Sequence, residues 1–260
     1  MFAAELESRL EKYGFPQLSP KRKITHTRSV QIGGVLKDVS FSVVQDERRR
    51  YAARDLLNDR YGWRGYGSAH DLLSDVHHTT FVAEIDGEVV GTMTLGVDSD
   101  EGLAIDSTFS DVVGQARREP GAQICELTKL AFDETVRSAH VLAGLFHLAY
   151  IYGTAHTACT DLFIEVNPRH VRFYETMLGF QGVGSETTNM SVGAPSRLMR
   201  ITVDAIRQNI RQIAGAPTPA ATRSLYPYFF PLEEERHVRR LLEAAHSSAA
   251  DRQERLRSAA

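Results

Sequence analysis

A glutamate stands inside an otherwise apolar run, Ile124-Cys-Glu-Leu-Thr-Lys-Leu-Ala-Phe132. A carboxylate buried in such a strand is costly unless it is paired or protonated, and loss of water raises its pKa toward the range where a general base works near neutral pH. Glu126 is therefore a candidate base, acting directly or through a water. The bland alternative is an ion pair with Arg48 or Arg49 that only fixes the strand. Alternation sets Glu126 and Thr128 on one face and Lys129 on the other, unless a bulge intervenes, so Thr128 is expected to share the site. Cys125 is expected to face away and to have no nucleophilic role. His77 and His78 follow Asp75, but neighbouring strand histidines point to opposite faces, so no metal site is expected.

Several elements must hold these groups. Residues 124–132 read as a central strand. From Val136 to Tyr152 the apolar residues wrap nearly all round a helix, which predicts burial against a sheet. Leu162 to Val166 is a short buried strand that Asn167-Pro168 stops. The helix that follows presents Val171, Tyr174, Met177 and Leu178 inward and is capped by Gly179. Upstream, residues 38–44 alternate as a half-buried strand, and Asp46 caps a helix with Tyr51, Ala52, Leu56 and Leu57 as its inner stripe. Asp86-Gly87 joins two β-rich runs, 79–86 and 88–97, as a hairpin. Residues 98–121 read as irregular, and Phe180 to Val203 as mostly extended. Strand, helix, hairpin, strand, helix, strand, helix, strand is an α/β order with a mixed sheet.

The flanks differ in character. Phe2, Leu6, Leu10 and Tyr13 predict a helix over 2–14, and residues 20–28 read as a solvated basic linker. Residues 214–260 read as a linker, an aromatic cluster at Tyr226-Pro-Tyr-Phe-Phe-Pro231 that must dock somewhere, and a charged helical tail. Three segments follow: an arm and linker at 1–35, a catalytic domain at 36–213, and a tail at 214–260. The 260 residues hold 30 Lys and Arg against 33 Asp and Glu, so no global charge favours nucleic acid. Two cysteines are too few for a disulfide scaffold and fit a reducing cytoplasm. No stretch is apolar enough to span a membrane, so any membrane contact would be peripheral.

Residues Asn167 to Phe180 resemble the Asn…Phe-Tyr…Gly-Phe motif of GNAT-type N-acyltransferases. The resemblance implies a GNAT-like acyltransferase fold, a mixed twisted β-sheet flanked by helices, here with an N-terminal helix and a C-terminal helical tail. It also implies that the strand before the Tyr174 helix splays from its neighbour to admit a thioester arm, and that Tyr174 protonates the departing thiol. Simple packing of the ring is the alternative. Ordinary members bind the coenzyme A pyrophosphate on a glycine-rich turn at the preceding helix N-terminus. Here that place reads Asp133-Glu-Thr-Val-Arg-Ser-Ala-His140, whose carboxylates would repel a diphosphate. A thioester donor without that clamp suggests acyl-phosphopantetheine on an acyl carrier protein, with no bound cofactor.

Glu126 to Phe132 is also similar to the Glu-Leu-Ser-Arg-Phe-Ala-Val signature of acyl-homoserine-lactone synthases, with Thr for Ser and Lys for Arg. Extended through Leu145 to Tyr150, Thr160-Asp161 and Ile164 to Val171, the likeness is closer to long-chain N-acyl amino acid synthases, over roughly residues 40–205. It implies transfer of a long-chain acyl group from acyl carrier protein to the α-amino group of an amino acid. The alternatives are a homoserine-lactone synthase and a non-catalytic lipid-binding or scaffold protein. Asp98 and Asp106, in a loop similar to the family's, are expected to bind the amino group or orient an arginine. Arg49, Arg64 and Arg169 are candidates for the acceptor carboxylate. Trp63 is a candidate gate, and Leu142, Leu145, Phe146 and Phe163 are candidate walls of an acyl tunnel.

Overall fold

Tight turns at Gly33-Gly34 and Asp86-Gly87, all four residues at positive φ, fold β-rich runs into two hairpins. They join β1 (Thr25–Ile32) to β2 (Val35–Val43) and β3 (His78–Ile85) to β4 (Glu88–Val97). The structure is a computed structural model that describes residues 24–73, 75–136, 138–216 and 223–258, with side chains described through residue 245. The helix expected at 2–14 lies outside the described residues. Residues 25–28, read from their charge as linker, belong instead to β1, and the β1–β2 pairing crosses the expected boundary at residue 35. Val30 is buried, so the strand has an inner face despite its polar composition.

Four more strands complete a mixed sheet of order β1-β2-β3-β4-β5-β6-β8-β7: β5 (Ile124–Phe132), β6 (Asp161–Val166), β7 (Gln181–Asn189) and β8 (Ala194–Thr202). Among the described residues, only β5 and β6 pair in parallel. One face carries α1 (Glu47–Trp63) and α2 (Asp106–Arg117). Helix α1 buries Ala53 and Leu57 together with Arg49, whose guanidinium bonds Glu84 at 2.8 Å. Of the stripe expected at Tyr51, Ala52, Leu56 and Leu57, Leu57 is fully buried and the other three are half-buried. Helix α2 occupies part of the segment read as irregular. A non-helical Phe109 kinks it, and Phe109, Val113 and Ala116 still form one buried stripe.

The other face carries α3 (Ala139–His156), α5 (Val203–Ile213) and α6 (Leu232–Ser258). Helix α3 lies close to the sheet because Gly144 has no side chain: a Cβ there would fall 2.3 Å from the Phe41 ring. The aromatic segment docks on α3. Tyr226, Phe229 and Phe230 are buried, and His147 stacks on both phenylalanines while its Nδ1 accepts the Phe230 N–H at 2.8 Å. Cys125 and Cys159, too few for a disulfide scaffold and expected to fit a reducing compartment, are joined as one disulfide with Cα atoms 6.2 Å apart.

Candidate active site

β5 and β6 stay paired from Ile124–Asp161 to Leu127–Ile164 and then part, although each strand continues. Two local features cause this. On β5 the pairing with β4 slips between Thr92 and Thr94, and Lys129 sits at φ +55, a left-handed conformation that costs an L-residue about 1–2 kcal/mol. The bulge inserts one residue and bends the strand. On β6, Pro168 opens a short 3-10 turn, Pro168–His170, and denies the strand a further N–H. Asn167 caps that turn by accepting the Arg169 N–H. Helix α4 (Val171–Leu178) follows and ends at Gly179 with φ +81, as its sequence predicts.

The gap opens into a cleft of about 340 Å³ whose walls include Leu127 to Phe132, Leu142, Phe146, Ile164 to Asn167 and Tyr174. Arg64, Arg169 and His170 also line this first lobe. A second lobe of about 260 Å³ shares Leu127, Thr128, Lys129 and Glu165 to Asn167 with the first, and is closed by Ala104, Ile105 and the β7–β8 hairpin. The lobes therefore meet where the strands part, with α3 and α4 behind one and α2 behind the other. Burial pushes the Tyr174 phenol up to about 12, so it remains protonated at neutral pH. Tyr61, in the same wall, is pushed up to about 12 for the same reason.

Glu126 is elsewhere. Its carboxylate is 1 % exposed and lines neither lobe. One oxygen accepts the Ala104 N–H at 2.8 Å and the other the Ile105 N–H at 3.1 Å, at the start of α2. Gly96, opposite on β4, leaves the space: a Cβ there would stand 3.2 Å from a Glu126 oxygen. Desolvation raises the Glu126 pKa although both amides act the other way. Direct contact with a substrate amine is thus not what the geometry gives, nor is an ion pair with Arg48 or Arg49. Those arginines face Glu84 instead. Glu126 ties β5 to the N-terminus of α2.

Asp98 and Asp106 also lie off the cleft. Both clamp Arg117, through Nε and Nη2 to Asp98 and through Nη1 and Nη2 to Asp106, at 2.6–2.7 Å. Those hydrogen bonds hold the Asp106 carboxyl below the usual carboxylate range. Both carboxylates are committed to Arg117, which itself lines neither lobe. Arg49 is spent on Glu84 and Asp46. Trp63, at the end of α1, is 74 % exposed with the Arg60 guanidinium over its ring, and it does not border the cleft. Leu142 and Phe146 are lobe walls, whereas Leu145 and Phe163 are interior core. Thr128, Tyr174, Arg64 and Arg169 all line the first lobe. The bulge also brings Lys129 into both lobes, which simple alternation excludes. Glu165 lines both lobes too, and a charge inside Leu162 to Val166 is the same signal that singles out Glu126. Among the described residues, no three metal-capable side chains are grouped and no helix is long and apolar enough to cross a membrane.

A family profile described as N-acyl amino acid synthase FeeM matches residues 52–202, more than half of the chain and the whole cleft. The chain belongs to the FeeM family of N-acyl amino acid synthases. It is an amide-forming acyltransferase with the GNAT-like sheet that the motifs predict. The solved structure of FeeM, an N-acyl amino acid synthase from uncultured soil microbes, is 26% identical with a TM-score of 0.60, over 66% of this chain and 94% of that one. An acyl-CoA N-acyltransferase from Pseudomonas aeruginosa is 15% identical with a TM-score of 0.44, over 62% of this chain and 98% of that one. The AHL synthase LasI is 13% identical with a TM-score of 0.45, over 64% of this chain and 89% of that one. No curated protein matches the sequence.

Proposed function

We propose that this synthase transfers a long-chain acyl group from the phosphopantetheine of an acyl carrier protein to the α-amino group of an amino acid. The observation that carries the reading is the parting of β5 and β6 beside Tyr174. Past Leu127 the edge of β5 that faces β6 has no strand partner, while the other edge stays on β4, so its free N–H and C=O groups can bond the amides of a pantetheine arm as a strand would. An N–H of that edge can also stabilise the oxyanion formed at the thioester carbon. Leu142, Phe146 and Ile164 supply apolar wall for the acyl chain.

The reaction balances simply. The nitrogen lone pair forms the C–N bond as the C–S bond breaks. Nitrogen begins as an ammonium and ends as an amide, so it sheds two protons. One goes to solvent, and the other replaces the proton that Tyr174 gives to the thiolate.

Two features favour a carrier-protein donor. In the turn before α3, Asp133 accepts the Thr135 N–H at 2.7 Å, which puts a carboxylate where a diphosphate would have to bind. Arg64 and Arg169 border the first lobe and join no ion pair among the described residues, which suits a single phosphate. The test offers the purified protein long-chain acyl carrier protein or acyl coenzyme A, each with a pool of the protein amino acids, and follows products by mass spectrometry. N-acyl amino acids from the carrier protein are expected. Products from coenzyme A alone would reject the donor.

A further inference from the structure

The second lobe is lined by one acidic and one basic side chain, Glu165 and Lys129, that make no ion-pair contact among the described residues. Glu165, half-buried on β6, accepts hydrogen bonds from Asn189 Nδ2 at 2.8 Å and Ser196 Oγ at 2.5 Å, both through Oε1. Its Oε2 accepts none and the residue joins no ion pair among the described residues. Lys129, half-buried on the bulge of β5, gives its ammonium one hydrogen bond, to the Asp71 carbonyl, and also joins no ion pair among the described residues. Burial presses its pKa down, although the carboxylates of Asp71, Glu126 and Asp75 act the other way from a distance. Both residues border the point where the two lobes meet. The other cations at the cleft, Arg64 and Arg169, border the first lobe only.

We propose that the second lobe is a seat for a zwitterion, in which Glu165 takes the α-ammonium group of the acceptor and Lys129 takes its carboxylate. Opposite charges on the two flanking strands match the opposite charges of an amino acid. The seat puts the nitrogen at the junction, facing the thioester carbon in the first lobe. Glu165 accepts the first of the two protons that nitrogen sheds and releases it to solvent. Asn189 and Ser196 hold the carboxylate in place through the oxygen that does not touch substrate. The inference rests on the acyl-transfer reading above, and it explains why Glu126 can be committed to α2 without leaving the acceptor unheld.

The test is a competition with long-chain acyl carrier protein as donor and three acceptors: a pool of the protein amino acids, the same pool as methyl esters, and hydroxylamine. The wild-type protein should prefer acids to esters. Lys129→Met should lower the acid-to-ester product ratio by about tenfold or more, the scale of one lost charge-assisted contact. Glu165→Gln keeps an oxygen for Asn189 and Ser196, and it should lower the ratio of amino acid to hydroxylamine products by about tenfold or more. Unchanged ratios in variants of a protein that still acylates amino acids would overturn the seat and leave the reaction standing. A wild-type protein that acylates esters as readily as acids would also overturn the seat. A wild-type protein that acylates no amino acid would remove both the seat and the reading beneath it.

Discussion

His147 provides the sharpest test of how the C-terminal segment is held. It is fully buried, stacks on Phe229 and Phe230 with ring centroids 4.8 and 5.0 Å away, and accepts the Phe230 N–H at 2.8 Å. Replacing it by Phe keeps the stacking but orphans that buried N–H, at a cost of about 1–3 kcal/mol. For a chain of this size each kcal/mol moves Tm by about 2–4 °C, so His147→Phe should lower Tm by about 2–12 °C. The pH dependence is a second signature. Desolvation pulls the His147 pKa below its ordinary 6.5, although the Glu235 carboxylate 3.5 Å away acts the other way, and Arg239 and Arg28 reinforce the lowering. The unfolded state thus takes the proton more readily. The contribution of His147 is complete above 6.5 and is lost as pH falls below it, so the gap in Tm between wild type and variant should narrow on acidification. Thermal unfolding from pH 8 to pH 5 measures this. Equal Tm values, or a gap that does not change with pH, would refute the reasoning.

Tyr174→Phe removes the proposed thiol acid and should lower kcat by about 10²- to 10⁴-fold with little change in Tm, as read by steady-state turnover and thermal unfolding. Glu126→Gln should keep turnover within about tenfold of wild type, because that carboxylate borders neither lobe; a loss of about 10³-fold or more at unchanged Tm would restore it as the base. Gly144→Ala should destabilise by about 1–3 kcal/mol despite the better helix propensity of alanine, since the new methyl meets the Phe41 ring; an unchanged Tm would contradict the close approach of α3.

The legible parts of this protein were those set by local chemistry. The turn at Asp86-Gly87, the stop at Pro168, the cap at Gly179 and the apolar girth of α3 each follow from a few neighbouring residues. β1 was hidden because it is an edge strand with polar side chains, whose pairing comes from β2 rather than from its own pattern. α2 was hidden by its start among Asp, Ser and Thr and by the kink at Phe109, although Phe109, Val113 and Ala116 have helical spacing. Glu126 shows the limit for the site. A strand carboxylate announces that something unusual holds it, but its partners are backbone amides about twenty residues upstream, which no side-chain pattern marks. The bulge at Lys129 likewise depends on pairing with β4, and it moves that residue into the cleft.

The central claim is that the acyl thioester enters between β5 and β6. Its most direct test is a crystal structure of the protein with a non-hydrolysable amide analogue of a long-chain acyl-pantetheine. The amide carbonyl should lie against the open edge of β5 past Leu127, within hydrogen-bonding reach of the Tyr174 hydroxyl, with the chain along Leu142 and Phe146. An analogue bound elsewhere, with β5 and β6 unoccupied, would contradict the account.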